Sequence, residues 1–409
     1  MRKAILALAF VALGLYGCGP GGGTGGGGTG GGGTGSDPCV LSGRLDTERT
    51  LSPSECSPYR VQGEFDIGNT GKLLIEPGTT LEFGQDAALV VSGHGVLKAV
   101  GTAAHKIAFL GAQPHRGYWK GVVFNNANSF DNELTYVEIE HAGGEEYWDS
   151  KAFHAYRAAL SLERGSRIKL KNVLIRESAG SGIFVDEDVD LAAFQGLQVT
   201  KNASFPLLIY ARKVHLLDSA SDFTGNDAGM DYVRVADWHK IQTATWKRLS
   251  VPYRVENELT VADGELLTIE PGTHLVFEQD TGIYVEGHTG GLRAAGTASE
   301  KIVFTALSSH PGYWCGLIFD DSNNLDNLLD YVKIEYGGSG SCSQGSSYKA
   351  NVLVESAGNA SSQYIRIYHS EINHSAGYGV VIAQETNANN IQADNTFVGN
   401  AQGNFFRMP

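Results

Sequence analysis

The sequence predicts an all-β solenoid, a chain wound into stacked coils of short strands, and three observations lead there. First, long segments occur twice. Pro58-Tyr59-Arg60-Val61 returns as Pro252-Tyr253-Arg254-Val255, and Ile75-Glu76-Pro77-Gly78-Thr79 as Ile269-Glu270-Pro271-Gly272-Thr273, both at an offset of 194 residues. Gly117-Tyr118-Trp119 returns as Gly312-Tyr313-Trp314 at an offset of 195, and 23 of 48 gap-free pairs are identical between Leu97–Gly144 and Leu292–Ser339. Second, apolar residues alternate in very short runs, as in Leu81-x-Phe83, Ile107-x-Phe109, Val122-x-Phe124 and Val137-x-Ile139, which is the period of a strand with one buried face. Third, these runs recur. Ile139, Leu162, Val185 and Ile209 lie 23, 23 and 24 residues apart, and Ile175, Val199 and Phe223 are each 24 apart. Two interleaved series with one period describe a coil that closes about every 24 residues. A single coil cannot bury its apolar side, so the coils must stack.

The chain opens with Arg2 and Lys3, then an apolar run from Ala4 to Tyr16. A basic start and a short apolar core read as a secretory signal over residues 1–17, too short for a membrane span. Leu15-Tyr16-Gly17-Cys18 resembles a bacterial lipobox. That resemblance implies that Cys18 becomes the lipidated N-terminus and, with Gly19 following it, that the protein sits at the outer membrane. The alternative is an ordinary secreted protein. Residues 18–36 form the next segment: 13 of the 18 residues from Gly19 to Ser36 are glycine, so it has nothing to bury and acts as a flexible tether. Its root-mean-square span is roughly 23 Å and its extended reach about 60 Å.

Two halves follow, 37–234 and 235–409, and spacing through Phe223, Val233 and Val235 predicts one continuous rod or two meeting at a slight bend. Ser178, Asn202 and Asn226 each stand three residues after a member of the second series, with Ser375 and Asn400 comparably placed. An asparagine at one turn of every coil can bond along the stack and tolerates the left-handed conformation. Four cysteines remain besides Cys18, an even number in an exported chain, and Cys39–Cys56 and Cys315–Cys342 each pair within one half. Cys39–Cys56 is expected to staple the first coil, and Asn404-Phe405-Phe406 to plug the last.

The recurring Ile-Glu-Pro-Gly-Thr-x-Leu-x-Phe, Leu-x-Ala-x-Gly-Thr-Ala, Ile-x-Phe, Trp-x-Gly and Leu-x-Tyr-Val-x-Ile runs resemble bacterial right-handed parallel β-helix proteins of the pectate-lyase-like superfold. The resemblance spans roughly Val61 to Phe406 and implies a right-handed parallel β-helix, a single-stranded solenoid built from two tandem halves. It implies little about activity, because that superfold hosts lyases, hydrolases, adhesins and spacers.

Most repeated polar residues read as structural. Glu76 and Glu270 precede Pro-Gly and so belong to tight turns. Trp119 and Trp314 are expected to close coils, leaving Tyr118 and Tyr313 nearer solvent. The halves disagree after Gly143-Gly144. There the first half mixes acids, aromatics and a cation: Glu145, Tyr147, Trp148, Asp149, His154, Tyr156 and Arg157, led in by Glu138, Glu140 and His141. The second half has a bland Ser/Gly segment around Cys342. Together with Tyr118 and Tyr313, these residues are the candidate ligand contacts. Asp186, Asp188 and Asp190 form an acidic turn that offers oxygen ligands to Ca²⁺, although the spacing matches neither the EF-hand loop nor the glycine-rich nonapeptide repeat. Pectate-lyase chemistry needs such a cluster beside an arginine base, and Arg176 lies nearby in sequence. No catalytic signature is complete, and no cofactor other than that Ca²⁺ is expected.

The chain carries 31 Lys+Arg against 45 Asp+Glu, a formal net charge of −14, which argues against nucleic acid as a partner. The reading is therefore a non-catalytic envelope lipoprotein, anchored in the membrane by its lipid, that presents a rigid β-helix to a glycan or a surface protein. A polysaccharide lyase or glycoside hydrolase on the same fold is the alternative, and a passive spacer is a second.

Overall fold

Short apolar alternations become strands that pair in parallel with the strand one coil away. The computed structural model describes residues 37–149, 154–236, 239–342, 348–356 and 362–409, apart from the side chains of residues 147–149 and 154–155. The proposed signal and tether, Cys18 included, lie outside the described residues. Residues 38–409 form one unit.

Three ladders build the first half. The first stacks Glu48–Leu51, Lys72–Ile75, Val96–Val100, Glu133–Thr135, Arg167–Lys171 and Asp190–Gln195. The second runs from the start of Tyr59–Ile67 through Thr80–Phe83, Ile107–Gly111, Val137–Glu140 and Leu174–Arg176 to Gln198–Thr200. The third runs from the end of Tyr59–Ile67 through Ala88–Ser92, Gly121–Asn125, Ala158–Glu163 and Ser181–Val185 to Leu207–Tyr210. Register keeps like with like. Leu51, Ile75, Ala99, Leu134, Leu170 and Phe194 form one inward column, all buried. Each such side chain touches its neighbours above and below, so truncating one leucine costs about 2–5 kcal/mol.

The corners need a left-handed residue. Between the first and second ladders, Tyr136, Asn172 and Gly196 have φ of 50°, 52° and 63°. After the second ladder, His141, Glu177 and Lys201 have φ of 65°, 56° and 56°. Next to this second corner the expected amide ladder forms: Asn202 Oδ1 accepts from Ser178 N–H and Asn226 Oδ1 from Asn202 N–H, both at 3.1 Å. Asn400 Oδ1 accepts from Ser375 N–H at 2.9 Å.

One member of the predicted periodic series is misplaced. Ile139 pairs with Ile175, in the second ladder, while Leu162, Val185 and Ile209 belong to the third. The neighbour preceding Leu162 is Phe124. The 23 residues from Ile139 to Leu162 cross a corner and an excursion loop, and their agreement with the coil period is accidental.

The halves join without a break in the hydrogen bonding. Leu207–Tyr210 pairs with Val233–Ala236, which pairs with Tyr253–Val255 and then His274–Phe277. By sequence equivalence, however, His274–Phe277 matches Thr80–Phe83 of the second ladder. The third ladder of the first half thus continues as the second ladder of the next. The original second ladder ends near Phe223, whose N–H reaches Ser250 Oγ at 2.9 Å. A new third ladder begins at Ile241, bridged to Val261. The first ladder keeps its side of the molecule, because the short 3-10 helix Ala211–Leu216 packs against both Asp190–Gln195 and Ala244–Trp246.

Both expected disulfides are present, Cys39–Cys56 and Cys315–Cys342, with Cα–Cα distances of 5.6 and 5.7 Å. They indicate an extracytoplasmic protein. Among the described residues no helix is long and apolar enough to cross a membrane. In the last strand, Gly403–Arg407, Phe405 packs against the core and Phe406 faces outward against Tyr348 and Tyr378. Only Phe405 serves as the expected plug.

Candidate functional site

The excursion after Gly144 folds over the outer side of the third ladder. Its backbone makes a small hairpin, Tyr147–Asp149 antiparallel to His154–Tyr156. The side chains of Tyr147, Trp148, Asp149 and His154 lie outside the described residues. Tyr156 is buried and stacks on Phe184 at 3.8 Å with planes 18° apart. Its hydroxyl donates to Glu163 Oε1 at 2.8 Å. The tyrosine therefore anchors the loop and caps the outward apolar pair Phe184 and Leu208. The bland segment of the second half has the same task. Cys342, held by Cys315, and Tyr348 pack on Tyr284, Ile318 and Leu353. In both halves the described part of the excursion covers an apolar outer face. At the loop's base, Lys120 pairs with Glu145 at 2.9 Å and Arg157 with Glu146 at 3.5 Å.

Glu138, Glu140 and His141 stand on and just after the second ladder. Glu140 lies in register with Arg176, and its Oε1 accepts from Arg176 Nη2 at 2.7 Å. That bond, first among the causes, holds the Arg176 guanidinium above its ordinary pKa. His141 Nε2 is 4.0 Å from Glu140 Oε2, and its Nδ1 is buried without a hydrogen-bond partner, as is Arg176 Nε. Glu138 pairs with Lys106 at 2.7 Å. One coil further on, Arg116 bridges Asp227 at 2.8 Å, Glu177 at 3.0 Å and the Lys201 carbonyl at 2.6 Å. The Arg116 bond holds the Asp227 carboxyl below its usual range.

The carboxylates of the acidic turn engage different partners. Asp186 accepts from the backbone N–H of Glu187 at 2.5 Å and of Arg164 at 3.3 Å. Glu187 pairs with Arg212 at 2.5 Å and lies 3.1 Å from His239 Nδ1. Asp190 pairs with Arg167 at 2.6 Å. Asp188 shares the turn. Among the described residues no group of three His, Cys, Asp or Glu is arranged to hold a metal. Arg176 is on the outer side of the second ladder and engaged by Glu140, whereas Asp186 follows the third. The arginine and the acidic cluster do not converge.

The repeated aromatics sort cleanly. Trp119 and Trp314 are buried, stacked on Phe83 and Phe277 at 3.8 and 4.1 Å. Tyr118 is half-buried with its edge against His115 at 4.9 Å. Tyr313 is half-buried against the core.

Sequence reading passed over the outer side of the first ladder. There Lys98, Glu133 and Lys169 share one column, with Lys171 two residues on, and Phe130 is 69 % exposed. The available signal was Lys169-Leu170-Lys171 in a strand with alternating burial.

No family model matches this chain, and no curated protein or solved structure matches it.

Proposed function

We propose that the chain is an exported, lipid-anchored right-handed parallel β-helix of the pectate-lyase-like kind. In this reading the signal covers 1–17 and the tether 18–36. The halves 37–234 and 235–409 arose by duplication and hold a glycan or a surface protein along their flank without catalysis at the outer membrane. One observation carries this reading: four carboxylates of the candidate regions are each engaged by a different arginine or lysine. Glu140 with Arg176, Glu138 with Lys106, Glu187 with Arg212 and Asp190 with Arg167 are separate pairs along the rod. A catalytic base must give up a proton near neutral pH, and Glu140 acts on Arg176 in the opposite sense. A hydrolase needs two carboxylates facing one bond, which this pattern of pairing does not supply. The proposal is tested on the full chain carrying Cys18→Ala with a glycan array and a pull-down of envelope proteins. Retention of a glycan or a discrete surface protein is expected. No retention, together with measurable polysaccharide cleavage, would overturn it.

A further inference from the structure

The first ladder reverses the charge balance of the chain. On its outward positions in the first half, Lys72, Lys98, Arg167, Lys169 and Lys171 face only three carboxylates, Glu48, Glu133 and Asp190, in a protein of net charge −14. Lys72 is 3.5 Å from Glu48 and Arg167 is 2.6 Å from Asp190. Among the described residues no carboxylate lies within ion-pair distance of Lys98, Lys169 or Lys171. Glu133 stands between Lys98 and Lys169 in the column, and its Oε1 accepts from Thr135 Oγ1 at 2.8 Å.

A groove of about 490 Å³ runs beside Lys98, lined by Leu74, Val96 and Val100 and by the charged Lys72, Glu76 and Asp131. That volume suits a small chain segment. At the edge of the same face Phe130 projects 69 % exposed, with the Arg167 guanidinium 3.6 Å from its ring centroid.

The second half repeats the plan. Arg293 takes the place of Lys98, here 3.7 Å from Asp326, and it shares a column with Leu328 and Arg366 as Lys98 does with Glu133 and Lys169. Leu325, in the place of Phe130, is 76 % exposed. Arg366 lies 4.1 Å over the Tyr364 ring. In both halves the cations are two coils apart, about 9.6 Å at the usual strand spacing. An extended pyranose chain with one acidic group per disaccharide repeats its charge over a comparable length.

We propose that the outer side of the first ladder binds a linear anionic glycan, with Lys98, Lys169 and Lys171 meeting its acidic groups and the Leu74–Val96–Val100 groove and Phe130 meeting its ring faces. This inference rests on the glycan-binding reading and names its surface and ligand. Partly desolvated contacts to single cations add modestly to affinity and are screened by salt.

The test is calorimetric titration of the full chain carrying Cys18→Ala with carboxylated, sulfated, phosphorylated and neutral linear oligosaccharides. Tighter binding of at least one acidic series than of the neutral one is expected, weakening with added salt, and the series preferred identifies the acidic group. Lys98→Gln with Lys169→Gln and Lys171→Gln should weaken it by about tenfold or more. Lys201→Gln with Lys349→Gln, which adjoin strands of the other two ladders, should not. Equal binding of neutral and acidic series, or unchanged binding by the triple variant, would overturn the inference while leaving glycan binding intact. Absence of binding to any glycan would overturn the inference and the glycan reading it rests on, leaving the surface-protein reading to the pull-down. If the triple variant fails to fold, salt-independent binding by the chain with its lysines unaltered would equally overturn the inference.

Discussion

Trp119 stacks on Phe83 at 3.8 Å with planes 13° apart and donates its indole N–H to the Glu140 carbonyl at 2.8 Å. Trp314 repeats both contacts with Phe277, at 4.1 Å and 11°, and with the Glu335 carbonyl at 2.7 Å. Each indole ties a corner to the next coil, filling space and satisfying a carbonyl together. Trp119→Ala and Trp314→Ala should each cost about 3–5 kcal/mol, read from denaturant midpoints. A loss below about 1 kcal/mol at either site would mean that the corner relaxes into the void.

The Glu140–Arg176 pair is unequally buried, with side-chain exposures of 11 % and 37 %. Arg176→Gln strands a nearly buried carboxylate, whereas Glu140→Gln leaves a guanidinium that water can reach. The arginine variant should be the less stable by about 1 kcal/mol, measured by chemical unfolding at neutral pH. The reverse order would show that the arginine carries the greater desolvation cost.

Acid should weaken the fold through identifiable carboxylates. The Thr289 N–H and hydroxyl, each at 2.9 Å, hold Asp263 below its ordinary value. The Thr243 hydroxyl and N–H, at 2.5 and 2.7 Å, do the same for Glu265, and Arg116 does so for Asp227. Each folded pKa lies below the unfolded one, so the stabilising contribution is full above roughly pH 4.5 and is lost as pH falls through the lower folded value. Asp263→Asn should lower the midpoint at neutral pH and flatten the acid limb. Parallel curves for variant and parent would count against it.

Removal of either disulfide should lower stability by about 3 kcal/mol on the chain-entropy model, for separations of 17 and 27 residues. Loss of Cys315–Cys342 should in addition loosen the cover over Ile318 and Leu353. Dye binding to exposed apolar surface should therefore rise more for Cys342→Ser than for Cys56→Ser.

Much of this architecture was legible because coil stacking imposes a period. Leu81, Phe83, Ile107 and Phe109 alternate as inward residues must, and all are buried. The Asn202–Asn226 ladder could be read from phase alone, since a left-handed corner followed by an amide must recur once per coil. Ile139 misled because an inserted loop happened to match the period. The shift of ladders at the junction left no trace in sequence, since Tyr253–Val255 has the same alternation whichever face it extends. The charged surface was least legible. Glu140 and His141 were marked as candidates, but whether a carboxylate is paired depends on a residue such as Arg176, 36 positions away. Lys98 and Lys169 could be joined only once the register was known.

The most direct measurement incubates the full chain carrying Cys18→Ala with acidic and neutral polysaccharides. It follows, in the same samples, retention of protein on the polymer and appearance of new reducing or unsaturated chain ends. Retention without new chain ends is the predicted result. New chain ends that vanish with Arg176→Ala would contradict it and make the Glu140–Arg176 edge catalytic.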